Sequence, residues 1–240
     1  NIFSKYSDNE SLEGLYFRND SHEWETKLRA KTVNYINQWK ITWGGNIQYS
    51  DYYNSTRDIY NQVEYLTKFN FYKYGLYGNI SKSFLGNRLN LSAGIRADED
   101  SFSIGSKMFD NISPRISSSF SLTNDRKLKW NSSIGIYYKI PTYTVLGFKD
   151  ISGNFSNENA KYTKSNHIVT GFDYSLGNAS KISIEIFLKK YSQFPISIID
   201  GVSLANMGAD FEVLGNEDIT TEGDGKTSGI EFLFQQKLSN

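Results

Sequence analysis

The sequence predicts an all-β protein, an antiparallel up-and-down transmembrane β-barrel of which about nine strands are visible. Three observations predict it. Apolar residues recur with a period of two, the runs are longer than strands of soluble sheets, and short and long connections alternate along the chain.

The period is clearest at Trp39, Ile41, Trp43, Gly45, Ile47 and Tyr49, with Lys40, Thr42, Gly44, Asn46, Gln48 and Ser50 between them. A helix cannot place those apolar groups on one face. The pattern recurs at Tyr72–Ile80, Leu89–Ala97, Ile116–Leu122, Leu128–Ile140, Ile168–Leu176, Ile182–Leu188 and Ile230–Leu238. A weaker strand covers Trp24–Val33. In a barrel the apolar rows face lipid and the polar rows face the lumen, which turns Arg96, Glu185, Lys189 and Glu231 inward. The runs over 39–50, 69–83, 127–140 and 181–192 have the length of a tilted membrane crossing, roughly 9–11 residues or more. Strands of soluble proteins peak near 5–6 residues. Aromatics such as Trp39, Tyr49, Tyr72, Trp130 and Tyr138 sit toward strand ends, as interfacial girdles require.

Connections near Tyr35–Gln38, Leu85–Arg88, Thr123–Arg126 and Gly177–Ser180 are tight; those at Asp51–Tyr65, Glu99–Ser113, Pro141–Ser165 and Asp200–Lys226 are long. Alternation puts all short turns at one end and all long loops at the other, as in outer-membrane barrels. The same period-two rows also fit the inner faces of a soluble β-sandwich or β-helix, and loop asymmetry and strand length argue against that alternative.

Composition agrees. Of the 240 residues, 15% are aromatic, with 17 Tyr and 16 Phe, a strand-like usage. The 26 basic and 26 acidic residues cancel, so no basic excess points to nucleic acid. Cysteine is absent, which excludes disulfides and Cys-type metal sites. No run of 18 apolar residues forms a transmembrane helix. The polar start Asn1–Glu13 lacks the basic and apolar regions of a signal peptide, and the chain reads as an internal portion of a longer protein.

No catalytic constellation emerges, and no enzyme activity, cofactor or metal is expected. His22 and His167 stand far apart and outside any H-E-x-x-H pattern. Gly225-Lys226-Thr227 resembles the end of a phosphate loop, but Thr220 stands where that motif needs glycine, and a loop tip is the plainer reading. Asp98-Glu99-Asp100 and Asn216-Glu217-Asp218, with Glu222 and Asp224, are carboxylate clusters at expected loop positions. Such clusters can bind calcium, but solvated loop charge is the commoner explanation. The loops also carry aromatics, including Tyr60, Phe102, Phe109 and Phe155. Flat rings with nearby polar groups suit sugars or aromatic chelates, and loop–loop packing equally well. Tyr52, Tyr53, Arg57, Tyr143 and Phe148 are the candidate ligand-binding residues.

Several segments resemble one family. Leu91–Asp98 (LSAGIRAD), Ile112–Ile116 (ISPRI), Tyr138–Tyr143 (YKIPTY), Gly171–Tyr174 (GFDY) and Leu204–Gly208 (LANMG) leading to Gly229–Phe232 (GIEF) are similar, in order and spacing, to strand-end motifs of TonB-dependent receptors. The tyrosine-rich strands and the long LANMG–GIEF connection look most like receptors of Bacteroidetes type. One segment departs: Asn157–Ser165 (NENAKYTKS) lacks the prolines and the Pro-Glu pair of the family's loop. The resemblance implies bacterial outer-membrane localisation, contact with outer-membrane lipid, and a barrel of roughly 22 strands around a plug domain. It makes residues 1–240 an interior portion of that barrel, with the plug domain not present in this chain. It also implies TonB-driven uptake of a small-molecule, oligosaccharide or peptide ligand, with a surface lipoprotein as a further partner. The competing readings are an outer-membrane adhesin or structural barrel, and a soluble secreted glycan-binding β-protein.

Overall fold

A computed structural model describes residues 2–7, 15–59, 63–177, 179–207 and 215–237. Ten strands form one antiparallel sheet in strict chain order. They are β1 (Ile2–Ser7), β2 (Leu15–Ile36), β3 (Trp39–Asp58), β4 (Val63–Phe84), β5 (Leu89–Asp100), β6 (Ser113–Ser121), β7 (Leu128–Lys139), β8 (Thr163–Leu176), β9 (Ser180–Ser197) and β10 (Ile219–Gln236). A single helical turn, α1 (Tyr143–Leu146), lies between β7 and β8. The sheet is an up-and-down meander in which β1 and β10 are the two edges, a wall section of a barrel.

The expected rows share one face. Cross-strand partners Ile47, Tyr74 and Glu99, or Leu76 and Ala97, or Ile116, Ile134, Ile168 and Leu188, stand side by side in the ladder. That face is exposed although apolar: Leu28 is 71% accessible, Leu76 62% and Ile116 59%. An apolar patch spanning β2 to β10 far exceeds what water tolerates on a monomer, so this face is built for lipid. Aromatic pairs mark its borders. Trp24 meets Tyr49 at 6.0 Å and Tyr49 meets Tyr72 at 5.3 Å on one side; Trp39 meets Phe84 at 6.2 Å on the other. The Lys82 ammonium lies over Trp39, 5.1 Å from the ring centroid. The ten residue steps from Trp39 to Tyr49, at about 3.3 Å each and tilted about 45°, span roughly 23 Å, close to the height of a barrel's apolar band.

The turns at the Trp39 end are short. β2 and β3 join through Asn37 and Gln38, both at positive φ (46° and 72°), a two-residue turn whose twist matches the strands. Residues 85–88, 122–127 and 177–179 make the other turns at this end.

The strands differ from the expected limits in four places. β1 is an additional strand, legible only from its pairing with β2, because its three apolar residues, Ile2, Phe3 and Tyr6, do not alternate. The weak strand at 24–33 extends over 22 residues. The connection expected at Asp51–Tyr65 is mostly strand, since β3 continues to Asp58 and β4 begins at Val63; Tyr60 lies outside the described residues. Likewise β10 starts at Ile219, so Gly225, Lys226 and Thr227 are laddered against Tyr191, Lys190 and Lys189 and form no loop tip. In β2, β3, β4 and β10 the strand runs on past the lipid, where its outward row no longer has to be apolar and the alternation fades. Between Thr220 and Gly225 the β9–β10 ladder shifts by one residue and shifts back, with Gln193 at positive φ, so the row keeps its facing on both sides.

Candidate functional site

Above the Trp24–Tyr49–Tyr72 border, β2, β3 and β4 continue as a ribbon, with β1 paired to the far end of β2. Segments 101–112 and 140–162 fold against its lumen face, and residues 215–218 reach the second of them. Alternation along the ribbon turns Tyr52, Tyr65, Phe69 and Phe71 inward, and all four are buried. Tyr143 and Leu146 of α1 and Ala160 complete the cluster, with Phe102, Ile140, Phe155 and Ile219 packed around it. Phe69 meets Phe102 at 4.6 Å, Phe102 meets Phe155 at 5.0 Å and Phe71 meets Tyr143 at 5.2 Å. These are tilted and edge-on contacts of the favourable kind.

The α1 turn does not stand on local propensity. Thr142 at its N-cap makes no side-chain capping bond, and four residues are too few to hold alone. Burial holds it: Val145 and Leu146 are fully inaccessible. Gly147 ends it, where a Cβ would stand 2.6 Å from Phe69 Cε1. Gly105 permits a closer approach still, since a Cβ there would meet Asn159 O at 1.9 Å; the backbone N–H of Ile104 donates to Glu158 O at 2.8 Å beside it.

Polar side chains lock the loops to the wall. Glu25 Oε1 accepts from Lys73 Nζ at 2.8 Å and from the Tyr143 hydroxyl at 2.7 Å, and Gln48 Nε2 also donates to it. Lys27 holds the other carboxylate oxygen at 2.5 Å. Burial pushes the Tyr143 hydroxyl well above the usual tyrosine range, so it stays a neutral donor. Asp100 accepts from the backbone N–H of Phe102 and Ser103 at 2.8 and 2.6 Å and from the Tyr162 hydroxyl at 2.8 Å. Burial first, and the Asp100 charge second, raise Tyr162 in the same direction. The Tyr65 hydroxyl donates to Gly147 O at 2.6 Å. Asn157 ties two loops together: its amide donates to Val145 O and Glu217 O, both at 2.8 Å, and accepts from Ile219 N at 3.2 Å. The segment that departs from the family motif therefore has a defined conformation, pinned by its first residue.

The five candidate ligand residues divide. Tyr52 and Tyr143 are buried in the cluster, 5.8 Å apart. Phe148 joins their side, half-buried and stacked on Tyr65 at 6.0 Å. Tyr53 lies on the opposite face of the ribbon, stacked on His22 at 5.3 Å, and Arg57 is exposed on that same face. Glu25, Lys73, Phe69, Asp100, Asn157 and Tyr162 were not foreseen; the parity of β2 and β4 puts Glu25, Lys73 and Phe69 in the inward rows.

Other features of the sequence fall as follows. His22 is within β2, 3.5 Å from Asp51 on the outer face. His167 lies on the lumen face of β8, with Nε2 2.7 Å from Ser165 Oγ and its ring 4.4 Å from Tyr137. Asp98 and Asp100 are in β5, and Glu222 and Asp224 in β10. Among the described residues no group of three or more His, Asp or Glu is placed to hold a metal ion.

A family model described as "TonB dependent receptor-like, beta-barrel" matches residues 2–239. Among solved structures the chain is similar to the copper transporter OprC, at 14% identity and a TM-score of 0.64, covering 97% of this chain and 37% of that one. It is similar to FpvAI in its complex with pyocin S2, at 9% identity and a TM-score of 0.61, covering 99% and 35%. It is similar to the outer membrane transporter YddB from Escherichia coli, at 14% identity and a TM-score of 0.58, covering 92% and 31%. At such identities the likeness is one of fold. The chain spans about a third of the length of these proteins. Among curated protein sequences none matches. The family match and the lipid-facing rows together disfavour the soluble reading: the chain belongs to the TonB-dependent receptor-like β-barrel family, whose members are outer-membrane proteins.

Proposed function

We infer that this chain is the interior part of the barrel wall of a receptor that captures a ligand at the outer surface and imports it with energy drawn from TonB. The observation that carries this is the crown, the extended β2–β4 ribbon with segments 101–112 and 140–162 folded against its lumen face around an aromatic cluster, on a barrel of this family. The plug domain and the TonB-contacting segment belong to other parts of the same protein. Phe148, Tyr53 and Arg57, which keep accessible surface, are the ligand-contacting candidates; Tyr52 and Tyr143 hold the loop that presents Phe148. The similar proteins include a copper transporter and FpvAI in complex with a pyocin, which keeps the cargo class wide, with a small chelate, oligosaccharide or peptide all compatible with aromatic loops. The protein is a transporter and not an enzyme, and a surface lipoprotein is its expected partner at the mouth.

Growth tests this reading. A strain without the gene, supplied with iron chelates, cobalamin, oligosaccharides or peptides in turn, should lose growth on one source. The complete gene should restore it, and a gene lacking the TonB-contacting segment should not. Full restoration by the truncated gene would sink the transport reading in favour of an adhesin or structural barrel.

A further inference from the structure

On the outer face of the wall, the apolar rows of β7 to β10 end in lysine toward the loops. Ile134, Ile168 and Leu188 stand side by side in one lipid-facing row, with Ser228 of β10 beyond them. The next row toward the loops holds Ile136, Asn166, Lys190 and Lys226, and the one after it Tyr138, Lys164 and Ser192. Lys190 and Lys226 are exposed; Lys164 is half-buried, its ammonium 6.0 Å from the centroid of the Tyr138 ring. The charges that the outward rows of β7 to β10 carry in the ladder are these lysines, all of one sign. Asp224 precedes Lys226 in the β10 bulge, outside the ladder, and among the described residues no ion pair joins it to a lysine. Lys164 and Lys190 lie on strands flanked on both sides, so the rows beside them are complete.

The outward face of β2 to β4 is different at the same end. There the signs are mixed: Asp51 lies 3.5 Å from His22, and Arg57 stands opposite Glu64 in the ladder. Lys190 and Lys226 instead stand directly opposite each other. Like charges in that position repel, at a cost to the sheet that an anion between them relieves. Their level on the wall names the anion. Tyr138 belongs to the aromatic border, where rings sit among lipid headgroups. A lysine rooted in the last apolar row lays its stem along the lipid and raises its ammonium to the headgroups. Each basic side chain beside an anionic lipid surface is favourable. The rest of a barrel closes around the lumen and leaves this outer face to the membrane.

We propose that Lys164, Lys190 and Lys226 form a docking surface for a phosphorylated lipid headgroup of the outer leaflet, with Lys190 and Lys226 on one phosphate and Lys164 beside it. Lipid is the occupant because the surface continues the lipid-facing rows without a break and its charge is opposite to that of a phosphate. The proposal rests on the barrel fold and is independent of cargo and of coupling to TonB.

The test uses the full-length protein in detergent, titrated with mixed micelles of diphosphoryl lipid A, of the same lipid stripped of phosphate, or of phosphatidylcholine. Native mass spectrometry counts the lipid retained. Diphosphoryl lipid A should be held in preference to the other two, and less so at raised salt. Lys164→Gln, Lys190→Gln and Lys226→Gln should each weaken retention roughly fivefold. Replacing all three by arginine should preserve it. Lys189→Gln changes the net charge equally but lies one residue away on the lumen face, and should leave retention unchanged. Heat-modifiable migration on gels confirms that each variant is folded. Retention that does not depend on the phosphates, or an equal loss in Lys189→Gln, overturns the proposal. So does full displacement by equimolar inorganic phosphate or polyglutamate, which assigns the lysines to a free anion or an acidic polypeptide instead.

Discussion

The same three strands, β2 to β4, pass through two regions that bury opposite faces. In the membrane belt the outward row is apolar and open, with Leu28, Ile47 and Leu76 projecting, while the inward row holds Arg29, Asn46 and Tyr77. Further along, in the crown, the inward row is apolar and buried, with Tyr52, Phe69 and Phe71, and the outward row carries Asp51, Ser55 and Lys68. Strand geometry is unchanged between them. What changes is the medium: lipid outside the belt, water outside the crown, and folded loops inside it. Alternation says only that two faces differ; the surroundings decide which one is hidden.

The sharpest way to break this comparison is to remove apolar bulk from the crown's inner row. Phe69→Ala should cost about 3–5 kcal/mol of local stability. Hydrogen exchange should rise in segments 101–112 and 140–162 while the belt strands keep their protection. Loss of protection across the whole barrel would mean that crown and belt are one cooperative unit.

Charge on the outward row comes next. Ile95→Arg, on the lipid face at mid-height, should destabilise the folded barrel by about 2–4 kcal/mol. Ser55→Arg, on the same face but in the crown, should cost less than about 0.5 kcal/mol. Unfolding titrations of the full-length protein in lipid vesicles measure both, and equal costs would remove the boundary between the regions.

A smaller effect belongs to the loop pin. Asn157→Ala leaves Val145 O, Glu217 O and Ile219 N without their partner and should loosen the crown by about 1–3 kcal/mol. Limited proteolysis within 140–162 and 198–218 should speed up together. Cleavage in one segment alone would show that Asn157 does not couple them.

The smallest effect is a pH response. Tyr143 and Tyr162 both have raised values in the folded crown. Their contribution is therefore complete below the ordinary tyrosine value of about 10 and is lost as pH rises from there toward the folded values. Between about pH 9 and 11, around the free tyrosine value, protection corrected for base-catalysed intrinsic exchange should fall in the crown and hold in the belt. Tyr143→Phe should reduce the response by removing one of the two titrating groups.

Much of the belt was legible because lipid imposes a rule on every outward residue. Leu91, Ile95, Ile116, Ile134 and Ile168 satisfy it one after another. The crown was not, because its strands alternate between two kinds of partly polar residue: Asp51 and Tyr53 outside, Tyr52 and Asn54 inside. Hydropathy cannot distinguish those rows, so the extended ribbon resembled a loop. Tyr52, Tyr143 and Phe148 were legible as aromatic loop residues, but Glu25 and Lys73 were not associated with them. They lie 118 and 70 positions from Tyr143 in the chain.

By itself, the sequence determined the antiparallel sheet, its order, the lipid-facing row and the end that carries the loops, because period, run length and connection length are local quantities. The tertiary structure alone decided that the loops fold inward, that Tyr143 reaches Glu25, and that Lys190 and Lys226 stand opposite each other on the outer face. Those are meetings between side chains on different strands, set by register and by which face water or lipid leaves to be covered.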